Sequence, residues 1–174
     1  MIFSSILTFD QQLTQFINRL IPHNWLFNQF FSFLSIRTNS LPIWIVIIIL
    51  LIFFEEKIDK KFIIYFLVSI AISLLAVFVL KDIFRRARPS TLCGTDFSFP
   101  SGHATIAFAS ATILAEFDKK RKWGYFLVAV LIALSRIYLQ CHFLLDIAGG
   151  SVMGFMISKL LLLSMFRNFR KRPL

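Results

Sequence analysis

The chain has 174 residues, of which 57% are hydrophobic and only 16% charged, with a mean hydropathy of +0.76. That leaves too little polar material to clothe a water-soluble domain. The 22 Phe, against 6 Gly and 5 Pro, also exclude a collagenous, low-complexity or disordered chain. Nineteen Lys and Arg against nine Asp and Glu leave a formal charge of +10, for which nucleic acid, anionic lipid headgroups and membrane topology compete.

Residues 1–40 interleave apolar and polar positions. Phe9, Leu13, Phe16, Ile17 and Leu20 recur at helical spacing, as do Leu26, Phe30, Phe33 and Leu34, and Asn18, Arg19, Pro22, His23 and Asn24 interrupt them. This pattern predicts amphipathic helices at the headgroup level, with a short extra span as the alternative. Met1 to Phe9 holds no Lys or Arg, so no cleaved secretory signal is expected. Five apolar stretches follow, at Leu41 to Phe54, Phe62 to Leu80, Ala104 to Phe117, Trp123 to Gln140 and Phe143 to Phe166. Crossing hydrocarbon takes about 20 helical residues, fewer where flanking groups snorkel. The expected fold is an all-α integral membrane protein: a bundle of five transmembrane helices, or six if the N-terminal part supplies one. A single domain is expected over 1–174, with an interfacial segment at 1–40, the bundle at 41–166 and a basic cytoplasmic tail at 167–174.

Lys57, Lys60 and Lys61, then Lys119, Lys120, Arg121 and Lys122, then Arg167, Arg170, Lys171 and Arg172 fall in alternate connections. Placing all three clusters in the cytoplasm gives a consistent five-span topology and accounts for most of the charge without nucleic acid. Lys81, Arg85, Arg86, Arg88 and Arg136 are then left at the outer face, where bare topology does not explain them. Arg85 and Arg86 read as headgroup-facing residues that attract anionic lipids.

Three local patterns converge on that face. Lys81 offers a flexible point charge and Arg88 a planar fork of donors, a pairing suited to phosphate oxygens. Pro100-Ser101-Gly102-His103 reads as a helix start whose amides and dipole favour an anion, with Ser101 also placed to cap the helix. Arg136 lies in the fourth apolar stretch. His142 and Asp146, four residues apart, share a helical face, so that the carboxylate can orient the imidazole as nucleophile or base. His103 is then available as acid and base on the leaving oxygen. By spacing alone, a polar clasp between helices explains the His142–Asp146 pair equally well. His23, in a turn-like Pro-His-Asn context, receives no chemistry. Cys93 and Cys141 form no metal-binding cluster with histidine, so neither a metal nor a cofactor is expected. They read as two unpaired small residues, with a bridge in an oxidising compartment as the alternative.

Lys81, six residues, Arg88-Pro89; then Pro100-Ser101-Gly102-His103; then Ser135-Arg136, five residues, His142, three residues, Asp146: this ordered set resembles the type-2 phosphatidic acid phosphatase family, particularly its small bacterial lipid A 1-phosphatases and undecaprenyl diphosphate phosphatases. The resemblance implies a metal-independent helical enzyme. It implies that Lys81, Arg88, Ser101, Gly102 and Arg136 bind phosphate, that His142 is the nucleophile, that Asp146 orients it and that His103 is the acid and base. The expected location is a bacterial inner membrane with the site on the periplasmic side. The expected partner is a phosphorylated membrane lipid, led by lipid A 1-phosphate or undecaprenyl diphosphate, with phosphatidylglycerol phosphate and phosphatidic acid as alternatives. A non-catalytic lipid-phosphate binding or transport protein is the alternative from another class.

Overall fold

The structure, a computed structural model, describes residues 2–35, 41–54, 60–90 and 93–170. The expected basic positions Lys57, Lys171 and Arg172, and the tail beyond residue 170, lie outside the described residues. Among the described residues seven α-helices run in chain order: α1 Ile2–Leu20, α2 Trp25–Leu34, α3 Leu41–Phe54, α4 Lys60–Phe84, α5 Gly102–Phe117, α6 Lys122–Tyr138 and α7 Leu144–Arg170. A short 3-10 turn, Lys119–Arg121, joins α5 to α6. The described residues contain no strand.

Helix α5 is the axis of the bundle. It is buried from Gly102 to Ile106 and again through most of its length, and it packs most extensively on α7, then on α6 and α4. Such burial is possible because the helix is built of small residues (Ala104, Ala107, Ala109, Ser110 and Ala111), which let neighbouring backbones come close. The facing side of α7 is equally lean. A side chain at Gly154 would put its first carbon 2.0 Å from the Thr105 carbonyl oxygen, so only hydrogen fits there. One turn further along α7, the Ser158 hydroxyl bonds the Ser69 hydroxyl of α4 at 2.7 Å and approaches the Ala109 carbonyl at 3.2 Å, joining three helices with polar groups that hydrocarbon cannot satisfy.

The outer surface has the reverse character. On α4, Ile64, Leu67, Leu75, Phe78 and Ile83 are exposed while Ser69 and Ser73 are fully buried. That inside-out distribution suits a helix solvated by lipid tails. Among the described residues two segments are long and apolar enough to cross a membrane, Lys61–Phe84 and Leu144–Ser164, and α3 contributes a shorter apolar stretch at Leu41–Leu51.

The direction of the helices separates two ends. The Phe62 and Phe117 rings meet edge-on with centroids 5.2 Å apart, so the start of α4 and the end of α5 share one end of the bundle. Lys61 and the Lys119–Lys122 cluster therefore sit there, whereas Lys81, the start of α5, the end of α6 and the start of α7 sit at the other end. The 16 residues of α5 separate the two by roughly 24 Å.

Ahead of α3, Ile2–Leu20 and Trp25–Leu34 form two helices rather than one long span. Asn24 caps α2 by accepting from the Phe27 amide, and Phe31 and His23 stack on Tyr138 of α6 with centroids 4.4 and 4.5 Å apart. His23 is thus a packing residue. Helix α1 docks on α6 and α7 through a polar stripe, with Asp10, Thr14 and Asn18 buried while Phe9, Phe16 and Leu20 face outward.

Candidate active site

The eight residues singled out by sequence fall together at one end of the bundle. Lys81, Arg88, Gly102, His103, Arg136 and His142 line one cavity of about 340 Å³, together with Asp96 and an apolar wall of Leu74, Val77 and Phe78 from α4. Ser101 and Asp146 stand immediately behind it, both fully buried.

Each group is fixed by its local structure. Lys81 lies in the last turn of α4, where its ammonium donates to Asp96 Oδ2 and to the Phe97 carbonyl, each at 2.5 Å. Arg88 comes from the loop between α4 and α5. Its Nη2 donates to Asp96 Oδ1 at 2.8 Å, and its Nη1 donates to the Cys141 carbonyl at 3.0 Å and lies 2.9 Å from His142 Nε2. Burial works to raise the pKa of Asp96, but the hydrogen bond and charge of Lys81, joined by those of Arg88, outweigh it and hold the carboxyl below its ordinary range. Asp96 thus stays ionised and bridges the two cations at the cavity mouth, a contact the sequence did not suggest.

Ser101 is the N-cap of α5, its hydroxyl accepting from the Ala104 amide at 3.5 Å, so the capping role is realised. Gly102, at the first helical position, lines the cavity in its place. Arg136, in the last turn of α6, is only 6% exposed, and its Nε has no hydrogen-bond acceptor among the described residues. A buried guanidinium with an unmet donor, beside two further cations, calls for an anion.

His142 follows a tight helix end. The Cys141 amide bonds the Arg136 carbonyl and the Gln140 amide bonds the Ile137 carbonyl, each at 2.9 Å, with Gln140 in the left-handed region at φ 54°. This is the paired closure of a Schellman motif with Gln where Gly is usual. The imidazole is 1% exposed. Its Nε2 meets an obligate donor, the Arg88 guanidinium, so the proton belongs on Nδ1, which faces Asp146 Oδ2 at 3.5 Å. That spacing is longer than a formed hydrogen bond, and among the described residues Nδ1 has no hydrogen-bond partner. Burial, with the charges of Arg88 and Arg136, pushes the His142 pKa down to about 4, so the ring is a neutral base at physiological pH.

Two expectations need correction. Arg86 does not face headgroups: its Nη1 donates to Asp146 Oδ1 at 2.7 Å, its Nη2 pairs with Asp10 Oδ2 at 2.5 Å, and its guanidinium lies 4.3 Å from the centroid of the Phe143 ring. The reason is that Asp146 and Asp10 are buried carboxylates that need a counter-charge more than lipid does. Cys93 and Cys141 are not separate thiols but a disulfide that ties the α4–α5 loop to the segment carrying His142.

Sequence reasoning placed a helix at α1 but missed its polar docking against the site. Leu145 donates its amide to Asp10 Oδ1 at 3.0 Å and Leu144 donates to the Thr14 hydroxyl at 2.9 Å, which satisfies the start of α7. The Asn18 amide donates to the Ile137 and Tyr138 carbonyls at 3.0 and 2.9 Å, which satisfies the end of α6. The available signal was Asp10, Thr14 and Asn18 recurring at i, i+4 and i+8 on one side of an amphipathic helix. Between α1 and the site lies a second cavity of about 540 Å³, lined by Gln11, Gln15, Asn18 and Gln140 and sharing Arg88 as a wall.

The family model of the PAP2 superfamily matches residues 62–170. The chain belongs to that superfamily. An undecaprenyl-diphosphatase of Sulfolobus acidocaldarius is 32% identical over 67% of the chain, and the chain spans 60% of that relative's length. The crystal structure of Aquifex aeolicus LpxE superimposes with a TM-score of 0.71 at 29% identity, covering 87% of this chain and 93% of that one. A transmembrane PAP2 type phosphatidylglycerolphosphate phosphatase from Bacillus subtilis superimposes with a TM-score of 0.70 at 26% identity, covering 97% of this chain and 89% of that one. The PAP2 match begins at α4, so α1, α2 and α3 lie outside it.

Proposed function

We propose that this PAP2 protein is a membrane lipid phosphatase that removes a terminal phosphate or pyrophosphate from a lipid headgroup through a phosphohistidine. The observation that carries the reading is the single cavity in which three cations and two imidazoles meet, with a buried Arg136 donor left unmet. In this reading Lys81, Arg88 and Arg136 hold the phosphoryl oxygens together with the opening turn of α5 at Ser101 and Gly102. His142 Nε2 attacks phosphorus as the bond to the leaving oxygen breaks, and His103 delivers the proton that oxygen needs. Asp146, facing Nδ1–H, stabilises the cationic ring that results. His103 then takes a proton from water, whose oxygen attacks the phosphohistidine and returns His142 to its neutral form.

The same cavity argues for a lipid. Leu74, Val77 and Phe78 continue its wall onto the lipid-facing side of α4, so an acyl or prenyl chain can remain in hydrocarbon while its phosphate reaches Lys81. The amide-lined cavity beyond Arg88 leaves room for a headgroup larger than phosphate. Lipid A 1-phosphate and undecaprenyl diphosphate are the leading substrates, followed by phosphatidylglycerol phosphate and phosphatidic acid. The basic end opposite the site supports a multi-pass domain of five spans in a bacterial inner membrane, with the site facing the periplasm.

The test is phosphate release from these four lipids by the purified full-length protein, with His142→Ala beside it. Release by the parent, lost in the variant while lipid binding persists, is the expected result. Undiminished release by His142→Ala removes the nucleophile assignment, and binding of all four lipids without release by the parent removes the enzyme.

A further inference from the structure

Arg86 and Asp10 lie outside the motifs that define the phosphate cavity, and neither lines it. Yet the Asp146 carboxylate has its two oxygens allotted: Oδ1 receives Arg86 Nη1 at 2.7 Å, while Oδ2 receives the Phe143 amide at 2.9 Å and faces His142 Nδ1. Rotation about the Cβ–Cγ bond would exchange the two oxygens, and Arg86 on Oδ1, with the Phe143 amide on Oδ2, opposes it so that Oδ2 faces the imidazole. Arg86 in turn is held on its other amino group by Asp10, which is 3% exposed and comes from α1, and on its face by the Phe143 ring. Three elements therefore meet in one chain of contacts: α1 through Asp10, the α4–α5 loop through Arg86, and α7 through Asp146.

We propose that Arg86, anchored by Asp10, is a positioning residue that sets Asp146 and through it the orientation and proton placement of His142. The inference rests on the reading of His142 as nucleophile. Helix α1 is on this account a part of the catalytic apparatus, although it lies wholly outside the family match at residues 62–170. The ion pairs also account for the burial of two carboxylates at one helix start, which the negative charge of Asp10 beside Asp146 would otherwise oppose.

Asp10→Asn is the sharpest test, because the amide oxygen still accepts from the Leu145 amide while the charge that holds Arg86 is gone. With the full chain in detergent, and with whichever of the four lipids turns over fastest, kcat should fall about 10- to 100-fold while KM and inhibition by inorganic phosphate stay within about twofold. Arg86→Met should lose at least as much, Arg86→Lys should recover part of it, and added guanidinium chloride at a non-denaturing concentration should restore turnover to Arg86→Met but not to His142→Ala. Thermal melting of Asp10→Asn within a few degrees of the parent guards against simple unfolding. An unchanged kcat in both Asp10→Asn and Arg86→Met, with His142→Ala inactive, overturns this inference alone. An active His142→Ala overturns the reading beneath it. A fall in kcat that tracks lost folded protein and is indifferent to guanidinium reduces Arg86 and Asp10 to a structural clasp.

Discussion

The backbone amide of Ser101 donates to the carbonyl oxygen of Asp146 at 3.0 Å, which indexes the first turn of α5 to the first turn of α7. The helix start that lines the cavity and the carboxylate that faces His142 are thereby parts of one unit. Gly150 guards the junction, since a side chain there would bring its first carbon 2.6 Å from the Ser101 carbonyl oxygen and 2.9 Å from Thr105 Oγ1. Gly150→Ala should destabilise the protein by about 1–3 kcal/mol through overpacking and lower turnover of the folded fraction. Thermal melting together with phosphate release checks both, and an unaltered rate would show that the two helices are not indexed by this contact.

Replacing Asp96 should help an anion. Its carboxylate sits between Lys81 and Arg88 and partly cancels their charge, yet its side chain is 56% exposed, so the effect is screened. Asp96→Asn should tighten competitive inhibition by inorganic phosphate about two- to fivefold, because two cations in the cavity then lack their fixed counter-charge. Weaker inhibition would mean that Asp96 serves to aim the cations rather than to compete for them.

The acid behaviour of His142 follows from its pKa of about 4, against about 6.5 for a free imidazole. Between those values the unfolded chain binds a proton that the folded chain refuses, so stability is full above pH 6.5 and falls as the pH drops toward 4. Melting of the parent between pH 7 and 4 should show this loss, and His142→Gln, neutral throughout, should show less of it. On the proposal that His142 is the nucleophile, the acid limb of kcat/KM should likewise lie near pH 4 rather than 6.5.

The disulfide closes a segment with a sequence separation of 48 residues, worth up to about 4 kcal/mol in the chain-entropy limit. Cys93→Ser should lower the melting temperature and raise KM, since the loop it releases carries Arg88 and Asp96. Alkylation of the parent should occur only after reduction; labelling of both thiols without reductant would contradict the bridge.

Gln140 occupies a left-handed position at φ 54° where glycine carries no steric penalty. Gln140→Gly should raise stability by about 0.5–1 kcal/mol, read by thermal melting, with its contact to Asn18 Oδ1 at 3.4 Å too long to offset the relief.

The residues that gather at the cavity were legible because each is tied to a short-range rule: a cation at the end of α4, a cap and glycine at the start of α5, and a histidine four residues before an aspartate, although His142 lies in the turn ahead of α7 and not on the shared helical face expected. Even so, spacing alone left His142 and Asp146 divided between a clasp and a catalytic pair. What was not legible depends on contacts between distant positions. Arg86 and Asp10 are 76 residues apart, and nothing local distinguishes Arg86 from its neighbour Arg85. The Cys93–Cys141 pair was misjudged for the same reason. Helix α1 was read from its apolar positions, Phe9, Phe16 and Leu20, when its docking face is the polar one.

That inverted helix has a practical consequence for handling the protein. With four large apolar side chains, Ile6, Phe9, Phe16 and Leu20, outside and its hydrogen-bonding edge inside, α1 should stay seated best while something oily covers its back. Harsh solubilisation that strips this cover would peel away Asp10, Thr14 and Asn18, and with them the ends of α6 and α7. Lost turnover after extraction would then record a detached N-terminus rather than impaired chemistry, and added phospholipid should bring it back.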